Sequence, residues 1–273
     1  MQLQRIIEAQ CQWADSHGKA RTGHVCKSIN DNLFAPLSAV TRAEFAAAGG
    51  DELGLSGRTA KLRSLRSSSA LAVNTFEPWR GRTLSPLAMA LGIRDAITSF
   101  NFEQRLPHGL GTSPPTLDLV FFVESAPPVG VEVKFCEPYD SREEHSPIQE
   151  KYFSGNRSRW SDVGLPRCQS LAARIGREEP YLSLGAGQLL KHLLALANVF
   201  GSDAGVNLIY LWFDTGCKEA EEHRKEIERF RNALDTRVDF RPMTFQTVLT
   251  ALREDAEPMP GYLGYLRERY SRT

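Results

Sequence analysis

Asp118 stands alone among the apolar residues of Leu117-Asp118-Leu119-Val120-Phe121-Phe122, and Glu132 and Lys134 stand in Val131-Glu132-Val133-Lys134-Phe135, fourteen positions after the aspartate. Charged side chains are rarely fully buried unless they are paired or bound to a metal. In an extended chain, residues two apart face one side, so Glu132 and Lys134 project together while Val131, Val133 and Phe135 face the core. Asp118 likewise projects away from Leu117, Leu119 and Phe121. An antiparallel hairpin turning near Ser125–Pro127 sets Asp118 across from Glu132 or Lys134. Two carboxylates with an ammonium beside them suit a hard divalent cation. Mg²⁺ is held by one or two carboxylates plus waters and phosphate, and the Val133 carbonyl can supply a further oxygen. Such an ion polarises a phosphodiester and acidifies a bound water, and Lys134 is placed to orient that water or stabilise the transition state. Mn²⁺ is expected to substitute for Mg²⁺.

The letters alone carry little weight. With 33 acidic residues and 8 lysines, about one acid-x-Lys triplet is expected by chance, and Glu132-Val133-Lys134 is the only one. The weight comes from placement, on an apolar strand that follows a second strand holding one isolated aspartate.

The elements that must position these groups can be read from periodicity. A helix is predicted over Gln2–Ser16, from Leu3, Ile6, Ile7, Ala9 and Trp13. A second is expected to open on the capping box Thr41-Arg42-Ala43-Glu44 and end at Gly49-Gly50. Arg58 to Arg66 carries Arg58, Lys61, Arg63 and Arg66 opposite Leu62 and Leu65, as a solvated helix face or a phosphate-binding one would. Ser85-Pro86 reads as a cap with proline at the first helical position, and Gly92 closes that helix. Strands follow at Ile97–Arg105, Leu117–Phe122 and Val129–Phe135. A long polar stretch, 137–183, is expected to be an insertion or lid. Leu184–Phe200 is a helix with a broad leucine face, and Val206–Phe213 reads as an interior strand. Helices at Glu219–Leu234, Thr244–Arg253 and Tyr262–Tyr270 surround a short strand at Val238–Phe240. The architecture is therefore α/β, with a mixed central β-sheet flanked by helices over residues 85–273 and an N-terminal helical extension over 1–84.

Length and composition agree with one large globular domain or a domain with an extension: the hydrophobic fraction is 41% and the charged fraction 24% over 273 residues, as in ordinary folded proteins. Net charge is zero, but residues 1–100 carry 12 Lys and Arg against 8 Asp and Glu, while residues 101–180 carry 9 against 12. An acidic metal site beside a basic flank that holds phosphate produces such an asymmetry, as do many unrelated enzymes. No apolar run is long enough for a membrane span, and the start, Met1–Arg5, lacks the apolar core expected of a signal peptide. The five cysteines, at 11, 26, 136, 168 and 217, form no C-x-x-C pair, so reduced thiols in a cytoplasm are expected.

At Asp118, Glu132 and Lys134 the chain resembles the PD-(D/E)xK nuclease superfamily, the restriction-endonuclease-like fold. Its core order of helix, strand, strand, strand, helix, strand matches Ser85 to Phe213, about half the chain. The resemblance implies that Asp118 fills the aspartate position and that Glu132 and Lys134 fill the (D/E)xK positions. It also implies an accessory acid at Glu103, in Phe102-Glu103-Gln104, and a site glutamine at Gln188. One departure is that Pro114-Pro115 lie earlier than the proline expected directly before the aspartate. The implied activity is Mg²⁺-dependent hydrolysis of DNA, less plausibly RNA, by an endonuclease of restriction, defence or repair. A homodimer would suit double-strand cutting. The alternative is a catalytically inactive nucleic-acid-binding or assembly module of the same fold. A hydrolase of a small phosphorylated metabolite ranks lower, because no glycine-rich phosphate cradle is present; Gly109-x-Gly111 has no third glycine.

The remaining motifs decide little. The six histidines show no zinc-ligand spacing, and Ser67–Ser69 lacks a nucleophile-elbow context. Arg157, Arg159 and Trp160 mix guanidinium and aromatic groups as single-strand binders do.

Overall fold

Apolar alternation between Ile97 and Lys134 produces the centre of the molecule. In the computed structural model, which describes residues 2–110, 114–140, 148–153, 159–175, 177–178, 180–201 and 203–271, β3 (Ile97–Arg105), β4 (Thr116–Val123) and β5 (Val129–Lys134) form an antiparallel meander. β6 (Val206–Trp212) and β7 (Val238–Thr244) extend it in parallel, giving one mixed sheet of order β3-β4-β5-β6-β7. A separate two-residue ribbon pairs β1 (Arg21–Thr22) with β2 (Val25–Cys26). The helices are α1 (Gln2–Ser16), α2 (Ala39–Ala48), α3 (Ser68–Phe76), α4 (Ser85–Ala90), α5 (Arg159–Asp162), α6 (Pro166–Arg174), α7 (Ala186–Phe200), α8 (Lys218–Ala233), α9 (Phe245–Ala251) and α10 (Tyr262–Tyr270). From α4 to β6 this is the predicted mixed α/β sheet flanked by helices.

β5 explains itself. It lies between β4 and β6, with α3 and α7 packed against it, and Val129, Val131 and Val133 are buried, as β-branched residues on a pleated interior strand should be. Gly130 is needed because a Cβ there would come 3.0 Å from Leu196 and 3.3 Å from Leu117. α7 fills the space above it with Leu189, Leu190, Leu193, Leu194 and Leu196. The outer edge of β3 is blunted by Glu44 of α2, whose carboxylate accepts the Phe102 backbone N–H at 3.2 Å; pairing one edge donor in this way limits strand addition.

One apolar core runs through the fold from Ile6 to Tyr270. Leu62, Leu71, Phe76 and Trp79 from the N-terminal third share it with the central strands. Within 137–183 the described residues Tyr152, Trp160, Leu165, Cys168 and Leu171 are also buried in it. All five cysteines are free thiols.

Local readings differ from the structure at three places. The cap of α2 is Ser38, whose side chain accepts from the Thr41 N–H. Thr41 is unavailable for capping because its hydroxyl donates to Glu77 at 2.6 Å, and Glu44 ion-pairs with Arg80 at 2.7 Å. Leu84, with no side-chain cap, precedes the helix at Ser85. The basic run forms no helix beyond a 3₁₀ turn at Lys61–Arg63, and its cations are drawn to acceptors in other segments. Arg58 meets Asp51 at 3.1 Å, Lys61 meets Glu52 at 3.1 Å, Arg63 donates to the Cys26 carbonyl and Arg66 lies 3.9 Å from Asp140. His145, Arg157 and Gly111 lie outside the described residues.

Candidate active site

The β4–β5 register pairs Leu119 with Val131 and Phe121 with Val129. Continuing it sets Asp118 opposite Glu132, one of the two alignments open to the sequence. The Asp118 carboxylate accepts the backbone N–H of Val133 at 2.7 Å, which locks the hairpin end and fixes one carboxylate oxygen. On β5, Glu132 and Lys134 do share a face, and Lys134 Nζ lies 3.0 Å from Glu132 Oε1. Gln188, in the first turn of α7, accepts from the same ammonium at 3.0 Å. Asp118, Glu132, Lys134 and Gln188 are thus brought to one corner of the sheet.

His192 joins them. It sits four residues after Gln188, so both side chains leave one face of α7. Its Nε2 lies 3.0 Å from Glu132 Oε2, with both side chains almost wholly buried. Neither atom has a partner in hydrogen-bonding geometry, so the imidazole holds the carboxylate by close packing and leaves Oε2 with a lone pair to offer.

Glu103 is the one non-glycine residue with positive φ among the described residues, at 48°. Its neighbours Phe102 and Gln104 pair with Leu119 and Leu117, which places it across from Asp118. A backbone held there costs about 1–3 kcal/mol and is most often found where a side chain is being aimed. Glu52, from the loop after α2, approaches the same acid. Its Oε1 binds Lys61, while its Oε2 is buried with no hydrogen-bond partner.

The charges push one another in opposite directions. Burial and then the nearby Glu52 and Glu132 carboxylates raise Glu103 to about 8. Burial, Glu132 and Glu103 hold Asp118 well above the usual carboxylate range. Burial would raise Glu132 too, but Lys134 and His192 outweigh it and bring it down to about 2. Burial opposes the Lys134 charge, yet Glu132, Glu137 and Asp118 together keep its ammonium well above the ordinary lysine range. Lys134 is therefore a fixed cation and hydrogen-bond donor at neutral pH, not a general base.

Glu103 gives a testable consequence for stability. Its folded-state value lies above the ordinary 4.5, so the folded protein holds a proton that the unfolded chain has lost. Stability contributed by this group is complete below about 4.5 and falls as pH rises through about 8. Glu103→Gln is expected to flatten that decline, raising the melting temperature on the alkaline side by roughly 2–5 °C relative to wild type. Parallel melting curves across that range for both proteins would contradict the assignment.

Could a metal sit here? Among the described residues no group of three or more His, Cys, Asp or Glu side chains is arranged to hold an ion. Mg²⁺ asks for less, one or two carboxylates completed by carbonyl oxygen, water and phosphate. Glu132 Oε2, buried without a hydrogen bond, is an ionised hard oxygen donor, and the mutually repelling Asp118 and Glu103 carboxyls are hard oxygen donors short of positive charge. The donor set fits such an ion.

A five-stranded mixed sheet with a carboxylate–lysine strand at its centre and a glutamine-bearing helix beside it defines the restriction-endonuclease-like class. Over residues 8–271 the chain matches the family described as Restriction Endonuclease associating with ARP, and it belongs to that family. No curated protein and no solved structure matches it. Among the described residues no helix is long and apolar enough to cross a membrane.

Sequence reasoning missed His192 and Glu52. His192 carried a signal, since it lies one helical turn from Gln188. Glu52 carried none: its approach to Glu103 is made by a loop remote in the chain.

Proposed function

We propose that this protein is a metal-dependent phosphodiesterase that cuts DNA, an endonuclease of restriction, defence or repair. The observation that carries the reading is the convergence of Asp118, Glu132 and Lys134, with Gln188, at one corner of the sheet. Asp118, Glu132 and the Val133 carbonyl would hold Mg²⁺, or Mn²⁺ in its place. When bound, the ion would polarise the scissile phosphate and acidify a water. Lys134, kept protonated by its acidic neighbours, donates to a phosphoryl oxygen or to the attacking water. Gln188 and Glu132 fix the ammonium, and His192 holds Glu132 in place. The family description names ARP as an associate, and an ARP protein is accordingly a proposed partner.

A second reading, a non-catalytic nucleic-acid-binding or assembly module of the same fold, draws on Glu132, whose two oxygens already face Lys134 and His192. Plasmid nicking separates the two. Wild type is expected to nick supercoiled DNA with Mg²⁺ or Mn²⁺ and not with EDTA, and Asp118→Asn to lose about 10²-fold or more. Titration calorimetry with Mn²⁺ alone should show weaker binding to Asp118→Asn. Nicking by Asp118→Asn at the wild-type rate would overturn the catalytic role of that carboxylate. A wild type that binds DNA without metal-dependent nicking would favour the module.

A further inference from the structure

β5 and α7 meet rung by rung. Two residues of a strand advance about 6.6 Å and four residues of a helix about 6 Å, so alternate positions of β5 can face every fourth position of α7. Gly130 faces Leu196, where an added Cβ would come 3.0 Å from the leucine side chain. Glu132 faces His192 at 3.0 Å, and Lys134 faces Gln188 at 3.0 Å. The absent side chain at the first rung lets the helix approach closely enough for the other two. The middle rung is anomalous. It sets a carboxylate against an imidazole where both are almost wholly buried, and the two facing atoms make no hydrogen bond.

A separation of 3.0 Å suits a hydrogen bond and a pair of metal ligands equally. Neighbouring ligands that each lie about 2.1 Å from an octahedral ion are about 3.0 Å apart. The angles decide between the two. An imidazole nitrogen presents its proton or its lone pair along one direction in the ring plane, and at His192 Nε2 that direction misses Oε2. The two lone pairs are therefore both left for a third atom. The carboxylate is kept in this orientation through Oε1, which faces Lys134 at 3.0 Å. The ring is not kept in its own by Nδ1, which also has no hydrogen bond. A buried imidazole with neither nitrogen paired is unfavourable, and a leucine, as at the neighbouring core positions of α7, would fill the rung without that penalty. An ion bound by Nε2 and Oε2 accounts for both side chains. His192 is also part of the wall of an open groove of about 320 Å³, which brings the pair within one ring of solvent.

We propose that His192 Nε2 and Glu132 Oε2 are two ligands of one metal ion, and that the site consequently prefers a first-row transition-metal dication to Mg²⁺. The assignment rests on the reading of Glu132 as a metal ligand, but its test does not depend on cleavage. Two side chains suffice: among the described residues no three His, Cys, Asp or Glu groups form a cage, and carbonyl oxygen, water and phosphate complete the shell. The preference follows from donor type. Mg²⁺ is matched to oxygen, whereas an imidazole nitrogen binds the transition-metal ions more strongly.

The experiment is electron spin-echo envelope modulation on the full-length protein, loaded with less than one equivalent of Mn²⁺ and free of nucleic acid. Wild type is expected to show the modulation of a directly coordinated nitrogen nucleus, and His192→Gln to lose it while still binding Mn²⁺. Titration calorimetry is expected to find the Mn²⁺ affinity of His192→Gln lowered by about tenfold or more and its Mg²⁺ affinity lowered less, so that the preference for Mn²⁺ narrows. Melting curves report whether the variant is folded, and the wild-type spectrum decides by itself if it is not. Mn²⁺ held by wild type without nitrogen modulation overturns the role of His192 and leaves the oxygen-donor metal site of the nuclease reading standing. Modulation that survives in His192→Gln places the nitrogen elsewhere and overturns the assignment in the same way. A wild type that binds no Mn²⁺ overturns both.

Discussion

Lys134→Ala is expected to reduce metal-dependent nicking of plasmid by about 10²–10³-fold or more, the usual cost of removing one preorganised donor from a developing negative charge. The ammonium carries three protons. Glu132 and Gln188 stand within hydrogen-bonding distance of Nζ at 3.0 Å each, which leaves the third for a phosphoryl oxygen or the attacking water. Because the acidic neighbours hold Lys134 protonated, raising the pH within the working range does not convert it into a base, and activity should not fall with its titration.

The variant also has a structural cost. Glu132 loses its cation while remaining buried, and an uncompensated buried charge costs about 3–5 kcal/mol unless the group takes up a proton. The double variant Glu132→Gln/Lys134→Ala removes both charges and is expected to recover most of the lost melting temperature while staying inactive. That recovery would assign the stability loss to the stranded Glu132 charge, and the catalytic loss is read from Lys134→Ala itself, assayed at a temperature where its melting curve shows it folded. Lys134→Ala that nicked like wild type would remove the lysine from the mechanism.

The legible parts of this chain are those in which local pattern and burial coincide. β3, β4 and β5 were visible because apolar residues alternate, and Asp118, Glu132 and Lys134 stood out as charges on such strands. α7 is visible from its leucines, while Gln188 is singled out only by the family resemblance. His192 has no zinc-ligand spacing to mark it; the informative spacing is its helical turn from Gln188. Glu52 was illegible for a different reason. It reaches Glu103 through the loop after α2, and no local pattern encodes a contact between a loop and a distant strand. The segment 137–183 read as polar because Tyr152, Trp160, Leu165 and Leu171 are spaced too irregularly for one amphipathic period, although all four are buried. The capping box failed through competition: Thr41 and Glu44 had the right types at the right spacing, but Glu77 and Arg80 claimed them.

Arg269→Ala is expected to be the most destabilising single change away from the carboxylate corner, by roughly 4 kcal/mol and about 10 °C in melting temperature. Arg269 lies on α10, only 2% exposed, and among the described residues no carboxylate pairs with it. Its guanidinium donates instead to Gln10 Oε1 at 3.0 Å, to the Asn32 carbonyl at 2.7 Å, to the Asn32 side-chain oxygen and to the Tyr265 hydroxyl. The rings of Trp13 and Tyr270 lie 4.3 Å and 4.9 Å from it. Two effects oppose each other. Deleting a buried cation removes a desolvation cost, but it also strands several buried acceptors and opens a cavity against two aromatic faces. Each stranded acceptor costs about 1–3 kcal/mol, so the loss wins. The damage is directed as well as large. Asn32 also donates to the carbonyls of Leu62 and Ser64, and the Leu62 N–H in turn binds the Glu52 carbonyl at 3.2 Å. The first and last helices are thereby tied to the loop that presents Glu52, while Glu132, Lys134 and Gln188 are held by β5 and α7. Arg269→Ala should accordingly keep nicking activity at low temperature and lose it on warming in step with unfolding, measured by circular dichroism alongside plasmid cleavage. A variant that melts with wild type would show that the buried guanidinium contributes nothing net, and one that is folded but inactive in the cold would place the clasp in the catalytic machinery.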